Sequence, residues 1–288
     1  MSEETSGKVI PRTLTIAGSD SGGGAGIQAD LKTFSALGCY GMSVLTAVTA
    51  QNTREVTHIH NIPPDIIRAQ LDAIFNDIGA DAVKIGMLSN SGVIRAVSDS
   101  LKQHKAQNIV LDTVMVAKSG DHLLQDDAVM TLKEELIPLS ALVTPNIPEA
   151  EVLTGSKITS RSDMETAGKA LLDMGPDAVL VKGGHLNLGS VSMDCLIYKT
   201  ADGIDHTRWF ELPRINTRNN HGTGCTLSSA IAAGLARELS LEAAVKDALW
   251  YLNEALKQST GWNLGNGHGP VHHFHPWWQP ETAEPDVS

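Results

Sequence analysis

A strict rhythm limits the folds open to this chain. Short apolar runs such as Ala82-Val83-Lys84-Ile85-Gly86 and Ala178-Val179-Leu180-Val181-Lys182 alternate with longer segments whose apolar residues recur at helical spacing. Residues 13–18 form a first run ending in glycine, and 26–37 then place Ile27, Leu31, Phe34 and Leu37 on one helical face. Strands are expected at 42–50, where low charge suggests burial on both faces, and at 56–62, 82–86, 108–112, 141–144 and 178–182. Between them, 66–75, 90–105, 124–136, a segment after Pro148 and 162–175 read as helices. Strands alternating with such helices give a parallel sheet covered on both faces, an α/β fold.

The rhythm breaks once. Residues 193–199 and 206–212 flank Thr200-Ala201-Asp202-Gly203-Ile204-Asp205 and read as a β-hairpin. Helices beginning at Thr226 and Leu241 follow, and the segment from Gly261, rich in Gly, His, Trp and Pro, reads as irregular. With 288 residues and no change of pattern, the expectation is a single domain with its core at about 13–258 and tails at 1–12 and 261–288. A net charge of -11 argues against nucleic acid or an anionic membrane as partner, because each requires a basic face. Cys39, Cys195 and Cys225 form an odd set without CxxC spacing, which suits a reducing compartment. No apolar run approaches a membrane span, so a cytoplasmic location is expected.

The chemistry concentrates in Asn216-Thr217-Arg218-Asn219-Asn220-His221-Gly222-Thr223-Gly224-Cys225, a polar loop running into a small, apolar helical pattern. Gly222, Thr223 and Gly224 can converge backbone N–H groups on a phosphate, and the positive end of the following helix adds to the attraction. Cys225 on the rim could meet a substrate hydroxyl. No GxxxxGK[ST] sequence exists, so this late loop must hold the phosphate.

Ligands of open parallel sheets gather at the carboxyl ends of strands. There Gly24, Gly26 and Ala29 match a GxGxxA pattern, but the second strand ends in Thr49-Ala50-Gln51-Asn52 rather than in the acid a dinucleotide would require. Gln51 and the glycine turn are therefore read as contacts to a small substrate. Asp30, one turn into the helix, could accept from the same ligand or simply complement the helix start. Asp112, Asn146 and Glu149 follow adjacent strands as hard oxygen donors suited to Mg²⁺ with a nucleotide, although Glu149 equally fits a first-turn helix acid. Lys182, at another strand end, can meet a polyphosphate or stand in solvent. The cluster His268, His272, His273 and His275 lacks zinc-site spacing and is assigned no metal.

Taken in order, Ala17-Gly18-Ser19-Asp20-Ser21-Gly22-Gly23-Gly24-Ala25-Gly26, Gln51-Asn52-Thr53, Lys84-Ile85-Gly86-Met87-Leu88, Asp112-Thr113-Val114-Met115, Thr144-Pro145-Asn146-Ile147-Pro148-Glu149-Ala150, Val181-Lys182-Gly183-Gly184-His185 and His221-Gly222-Thr223-Gly224-Cys225 carry a resemblance. Over about 13–256 the chain resembles the hydroxymethylpyrimidine/phosphomethylpyrimidine kinases of thiamine biosynthesis, in the ribokinase-like superfamily. The resemblance implies a three-layer α/β/α sandwich with a central, mostly parallel sheet, ATP and Mg²⁺, a homodimer, and phosphorylation of 4-amino-5-hydroxymethyl-2-methylpyrimidine and then of its monophosphate. It further implies that Gln51 reads the pyrimidine edge, with Gly18, Ala25, Asp30 and Met87 lining the pocket. Cys225 matches the position of an aspartate base in relatives acting on sugars, a role that requires its thiol pKa to be lowered. Asn146 and Glu149 match the Mg²⁺-associated Asn-x-x-Glu motif, and Lys182 a nucleotide-phosphate contact. Two positions depart from the pattern: Thr49 stands among usually apolar pocket residues, and Asn220 replaces a threonine. The alternative within this resemblance is a kinase of pyridoxal.

Overall fold

The computed structural model describes residues 9–115, 127–184, 186, 189–200 and 202–278. Its centre is one nine-stranded sheet in the order β3-β2-β1-β4-β5-β6-β7-β8-β9. Strands β1 (Arg12–Asp20), β2 (Tyr40–Gln51), β4 (Ala82–Ile85), β5 (Ile109–Leu111), β6 (Leu142–Val143) and β7 (Ala178–Lys182) run parallel. The edges are antiparallel: β3 (Val56–Asn61) beside β2, and the hairpin β8 (Val191–Lys199) and β9 (Asp205–Pro213) beside β7.

The central strands are buried on both faces, which explains their continuous apolar runs. Side-chain alternation sends Ile109 and Leu111 of β5 to one core and Val110 to the other. The first core is closed by α2 (Pro64–Phe75), α3 (Ser91–Gln103), α4 (Ala128–Glu135), α5 (Ile147–Thr154) and α6 (Arg161–Leu172). The second is closed by α1 (Gly26–Ala36), α7 (Thr223–Ala236) and α8 (Leu241–Gln258). Removing Phe34 or Ile231 of this second core from water is worth roughly 1.5–3 kcal/mol each. The architecture is the expected three-layer α/β/α sandwich.

Three details differ from the sequence reading, and a fourth adds to it. Strand β2 is not buried throughout: its second half leaves Val48 44 % exposed, because only the edge strand β3 lies beyond it. Helix α7 begins at Thr223 rather than Thr226, since Gly222 takes the left-handed conformation (φ 79°) and caps it, drawing Thr223-Gly224-Cys225 into the first turn. The expected helix 124–136 is seen as Ala128–Glu135, and 124–126 lie outside the described residues. Residues 261–278 contain no helix or strand yet pack back as a strap: His268 N donates to Thr53 O at 2.8 Å, His221 N to Gly269 O at 3.0 Å, and Trp277 Nε1 to Ala36 O at 3.0 Å.

The chain leaves β1 toward β2 on one side and continues through β4 on the other, so the sheet reverses direction at β1. Loops after the parallel strands open onto one common edge at such a reversal.

Candidate active site

Asp20, at the end of β1, organises this edge. Its carboxylate accepts N–H bonds from Gly22 (2.8 Å), Gly24 (3.0 Å) and Ala25 (2.8 Å), folding the first glycine loop around one buried side chain. It also accepts from His221 Nε2 at 2.8 Å, which joins that loop to the entrance of α7. The two loops touch backbone to backbone, and a Cβ on Gly222 would lie 1.8 Å from Gly24 O.

Because a carboxylate can only accept, the proton of the His221–Asp20 bond sits on Nε2. Gln51 Nε2 approaches the same nitrogen at 3.4 Å and finds no lone pair there, so the Gln51 amide hydrogens stay available to a ligand. The Thr49 hydroxyl lies 3.1 Å from Gln51 Oε1 and 2.8 Å from Ser19 O, which gives this departure from the apolar pattern a job in orienting Gln51. Gly18 and Met87 adjoin, a Cβ on Gly18 falling 3.1 Å from Met87 Sδ, and Ala25 caps α1 beside Gly222. Gln51, Gly18, Ala25 and Met87 thus lie around the reversal at β1.

Across the edge, the first turn of α7 leaves the N–H groups of Thr223, Gly224 and Cys225 without helical acceptors, while Thr226 N already donates to Gly222 O at 2.8 Å. Asp112 and Lys182 meet this turn: Lys182 Nζ donates to Asp112 Oδ1 at 2.8 Å, and a Cβ on Gly224 would stand 3.2 Å from Asp112 Oδ2. A larger residue there would have to push Asp112 aside by a few tenths of an ångström. Asn146 and Glu149 cap α5 reciprocally, each side chain accepting the other's backbone N–H at 2.9 Å, so the structure gives their motif a folding role as well. Thr113 Oγ1 also donates to Glu149 Oε2, at 3.1 Å. Burial, reinforced by Asp112 and opposed by Lys182, pushes the Glu149 carboxyl up to about 7.

Two sequence expectations require correction. Asp30 does not line the pocket: it is fully buried, with Thr15 Oγ1 at 2.6 Å, Ser229 Oγ at 2.7 Å and Lys84 Nζ at 2.9 Å from both carboxylate oxygens. The buried lysine of β4 claims this carboxylate, which also replaces the alternative of a helix-start acid. Nor is the Cys225 thiol acidified; burial pushes it up to about 11, with Asp30 and Asp112 disfavouring the thiolate and Lys84 and the Gly26 N–H favouring it. The helix terminus alone does not overcome desolvation.

Beside the Lys182 corner lies a cavity of about 170 Å³ whose walls include Leu212, Ile215, Leu249, Leu252 and Leu256, with Asp194 among the lining. Asp194 pairs in register with Lys182 and accepts from Gly183 N at 2.9 Å. The sequence reading missed this cavity, as well as the roles of Asp20, His221 and Lys84. Their shared motif segments were visible, but their contacts cross much of the chain.

The sequence profile of the family described as phosphomethylpyrimidine kinase matches residues 20–272. The chain belongs to the phosphomethylpyrimidine kinase family. It is similar to the hydroxymethylpyrimidine/phosphomethylpyrimidine kinase of Rhizobium meliloti (strain 1021), at 53 % identity over 92 % of this chain and 98 % of the relative. Among solved structures, the phosphomethylpyrimidine kinase of Clostridium difficile 630 aligns with TM-score 0.75 and 46 % identity over 86 % of this chain and 100 % of its own. An ADP complex of Bacillus subtilis pyridoxal kinase aligns with TM-score 0.83 at 36 % identity, covering 92 % and 98 % of the two chains. Shape is therefore common to both activities, whereas sequence favours the phosphomethylpyrimidine kinase family, and this member is a small-molecule kinase.

Proposed function

We propose that this kinase transfers the γ-phosphoryl group of ATP to the hydroxymethyl oxygen of 4-amino-5-hydroxymethyl-2-methylpyrimidine, and then to the phosphate of the resulting monophosphate. The observation carrying this reading is the facing of two sites across α7's first turn: Gln51 with Gly18, Ala25 and Met87 on one side, Asp112 with Lys182 on the other. Gln51 presents unpaired amide hydrogens to a ring nitrogen. The first-turn N–H groups of Thr223, Gly224 and Cys225 meet the migrating phosphoryl group, where negative charge is concentrated. Lys182 meets the nucleotide phosphates, and the adjoining apolar cavity takes the flat base; the ADP complex of the similar pyridoxal kinase supports nucleotide binding by this architecture.

In the first transfer the substrate O–Pγ bond forms, the bond from Pγ to the bridging oxygen breaks, and ADP leaves. The hydroxyl proton departs late in a loose transition state, passing to an oxygen of the transferred phosphoryl group and from there to solvent, so a protonated Cys225 can position the hydroxyl without first removing its proton. In the second transfer the acceptor is an ionised phosphate oxygen and no proton need be lost.

A divalent cation fits the donor set. Asp112 and the buried Glu149 place two carboxylates against the one ammonium of Lys182, and burial, with Asp112 beside it, drives Glu149 toward its neutral form. Among the described residues no third His, Cys, Asp or Glu joins them, so Asp112 and Glu149 would hold an Mg²⁺ ion together with phosphate oxygens and water. Bound there, the ion supplies charge that lets polyphosphate approach these carboxylates.

The free thiols Cys39, Cys195 and Cys225 support a cytoplasmic location, and among the described residues no helix is long and apolar enough to cross a membrane. The open edge strand β3, with Ile59 40 % exposed, supports a pairing surface for a homodimer. The function is tested by incubating the pyrimidine alcohol with Mg²⁺ and ATP and following products by mass. Successive mono- and diphosphate are expected; absence of both overturns the proposal.

A further inference from the structure

Beneath the first turn of α7 lies a buried charge that the reaction as described does not use. Cys225 and Ser229 stand one helical turn apart on α7 and face Gly26 and Asp30, one turn apart on α1. The Gly26 backbone N–H favours the Cys225 thiolate, and Ser229 Oγ donates to Asp30 Oδ1 at 2.7 Å. Asp30 in turn holds Lys84 Nζ at 2.9 Å through both oxygens, and both side chains are fully removed from solvent. Thr15 completes the group from β1 at 2.6 Å. Four elements therefore converge on the Asp30 carboxylate, which fixes the Lys84 ammonium, and a Cβ on Gly86, at the site edge of β4, would lie 2.6 Å from that ammonium.

A buried ion pair is an expensive way to fill a core, since apolar residues of similar volume are often as stabilising or more so. Packing alone does not explain it. We propose that Lys84 is a positioning residue for phosphoryl transfer: anchored by Asp30, its ammonium supplies a fixed positive field beneath the α7 turn where charge builds on the migrating phosphoryl group. The charged groups facing that turn are Lys84, Asp30, Asp112 and Lys182, and Lys84 offsets carboxylates that would otherwise repel the incoming phosphate. A fixed charge of this kind requires no reorganisation when the transition state forms.

The inference rests on the phosphotransfer reading and is tested on the full chain with variants that separate charge from packing. Lys84→Met alone leaves Asp30 buried and unpaired and is expected to unfold at lower temperature. Lys84→Met/Asp30→Leu and Lys84→Met/Asp30→Asn remove the charge while sparing the core that penalty. Both double variants are expected to melt at or near the wild-type temperature, to keep KM for the pyrimidine within about threefold, and to lose kcat by about tenfold or more. A purely structural pair would instead restore kcat together with the melting temperature, and that result in either folded double variant overturns the inference. Wild-type protein inactive on the pyrimidine would sink the functional reading itself, a separate outcome. A double variant that fails to melt cooperatively despite the removed charge would also contradict the inference, because it would make the pair a requirement of the fold.

Discussion

Asp20 Oδ2 and His221 Nε2 stand 2.8 Å apart although 201 positions separate them in the chain. Through this one bond the glycine loop after β1 and the loop that enters α7 become a single unit. The strap at 261–278 holds His221 from behind, through Gly269.

His221→Ala should therefore do two things at once. Losing a partner of the buried Asp20 carboxylate should lower unfolding stability by about 1–3 kcal/mol. The KM for the pyrimidine should rise as well, because Gln51 loses the neighbour against which its amide is placed. Denaturant unfolding and steady-state kinetics on the same preparation check both, and an unchanged KM would show that the two loops hold their places independently.

Cys225→Ala should affect the two phosphorylations unequally. The hydroxyl of the first acceptor must be oriented and must lose a proton, whereas the phosphate oxygen of the second needs neither. The expected loss in kcat is about tenfold to a thousandfold for the alcohol and less than about threefold for the monophosphate. Separate assays on each acceptor decide the matter; equal losses would place Cys225 in the handling of ATP or of the fold.

Gln51→Ala removes the amide proposed to face the pyrimidine edge while leaving the first turn of α7 intact. A lost buried hydrogen bond of about 1–3 kcal/mol corresponds to about 5- to 150-fold weaker pyrimidine binding. The affinity for ADP should not change. Calorimetric titration of both ligands distinguishes this from general damage, which would weaken the two together.

Asp194 predicts a pH dependence. Burial pushes its carboxyl up to about 6, against the pull of the Gly183 N–H and Lys182. Since the folded state holds this proton more tightly than the unfolded chain, stability from this group is greatest in acid and is lost as pH rises from about 4 through about 6. Asp194→Asn keeps the acceptor for Gly183 and removes the cost. It should stabilise the protein at pH 8 by about 1–3 kcal/mol and have little effect below pH 4. Unfolding curves at the two pH values measure this, and equal effects at both would assign the gain to packing.

The strands and most helices were legible because central strands are buried on both faces and surface helices carry one apolar stripe. The hairpin β8–β9 was legible for the complementary reason, a polar turn between two β-rich runs. The start of α7 was not, because glycines in sequence suggest a loop while Gly222 in fact caps the helix at φ 79°. The meeting of Asp112 and Lys182 followed from strand ends, where parallel sheets deliver their ligands. Asp30 was misplaced because an acid near a helix start has several meanings, and only the fold brings Lys84 to it across 54 positions. The lowered thiol pKa that a base role for Cys225 requires could not be judged from sequence, since the favourable field of a helix terminus is written there and the desolvation opposing it is not.

The central claim is that the acceptor is the aminopyrimidine alcohol and its monophosphate rather than a B6 vitamer. The most direct measurement offers 4-amino-5-hydroxymethyl-2-methylpyrimidine, its monophosphate and pyridoxal in parallel, with Mg²⁺ and ATP, and compares kcat/KM for each from products resolved by mass. Both pyrimidines should be phosphorylated, each with kcat/KM at least about tenfold above pyridoxal, a difference of about 1.4 kcal/mol in transition-state stabilisation. Turnover of pyridoxal with none of either pyrimidine would contradict the account.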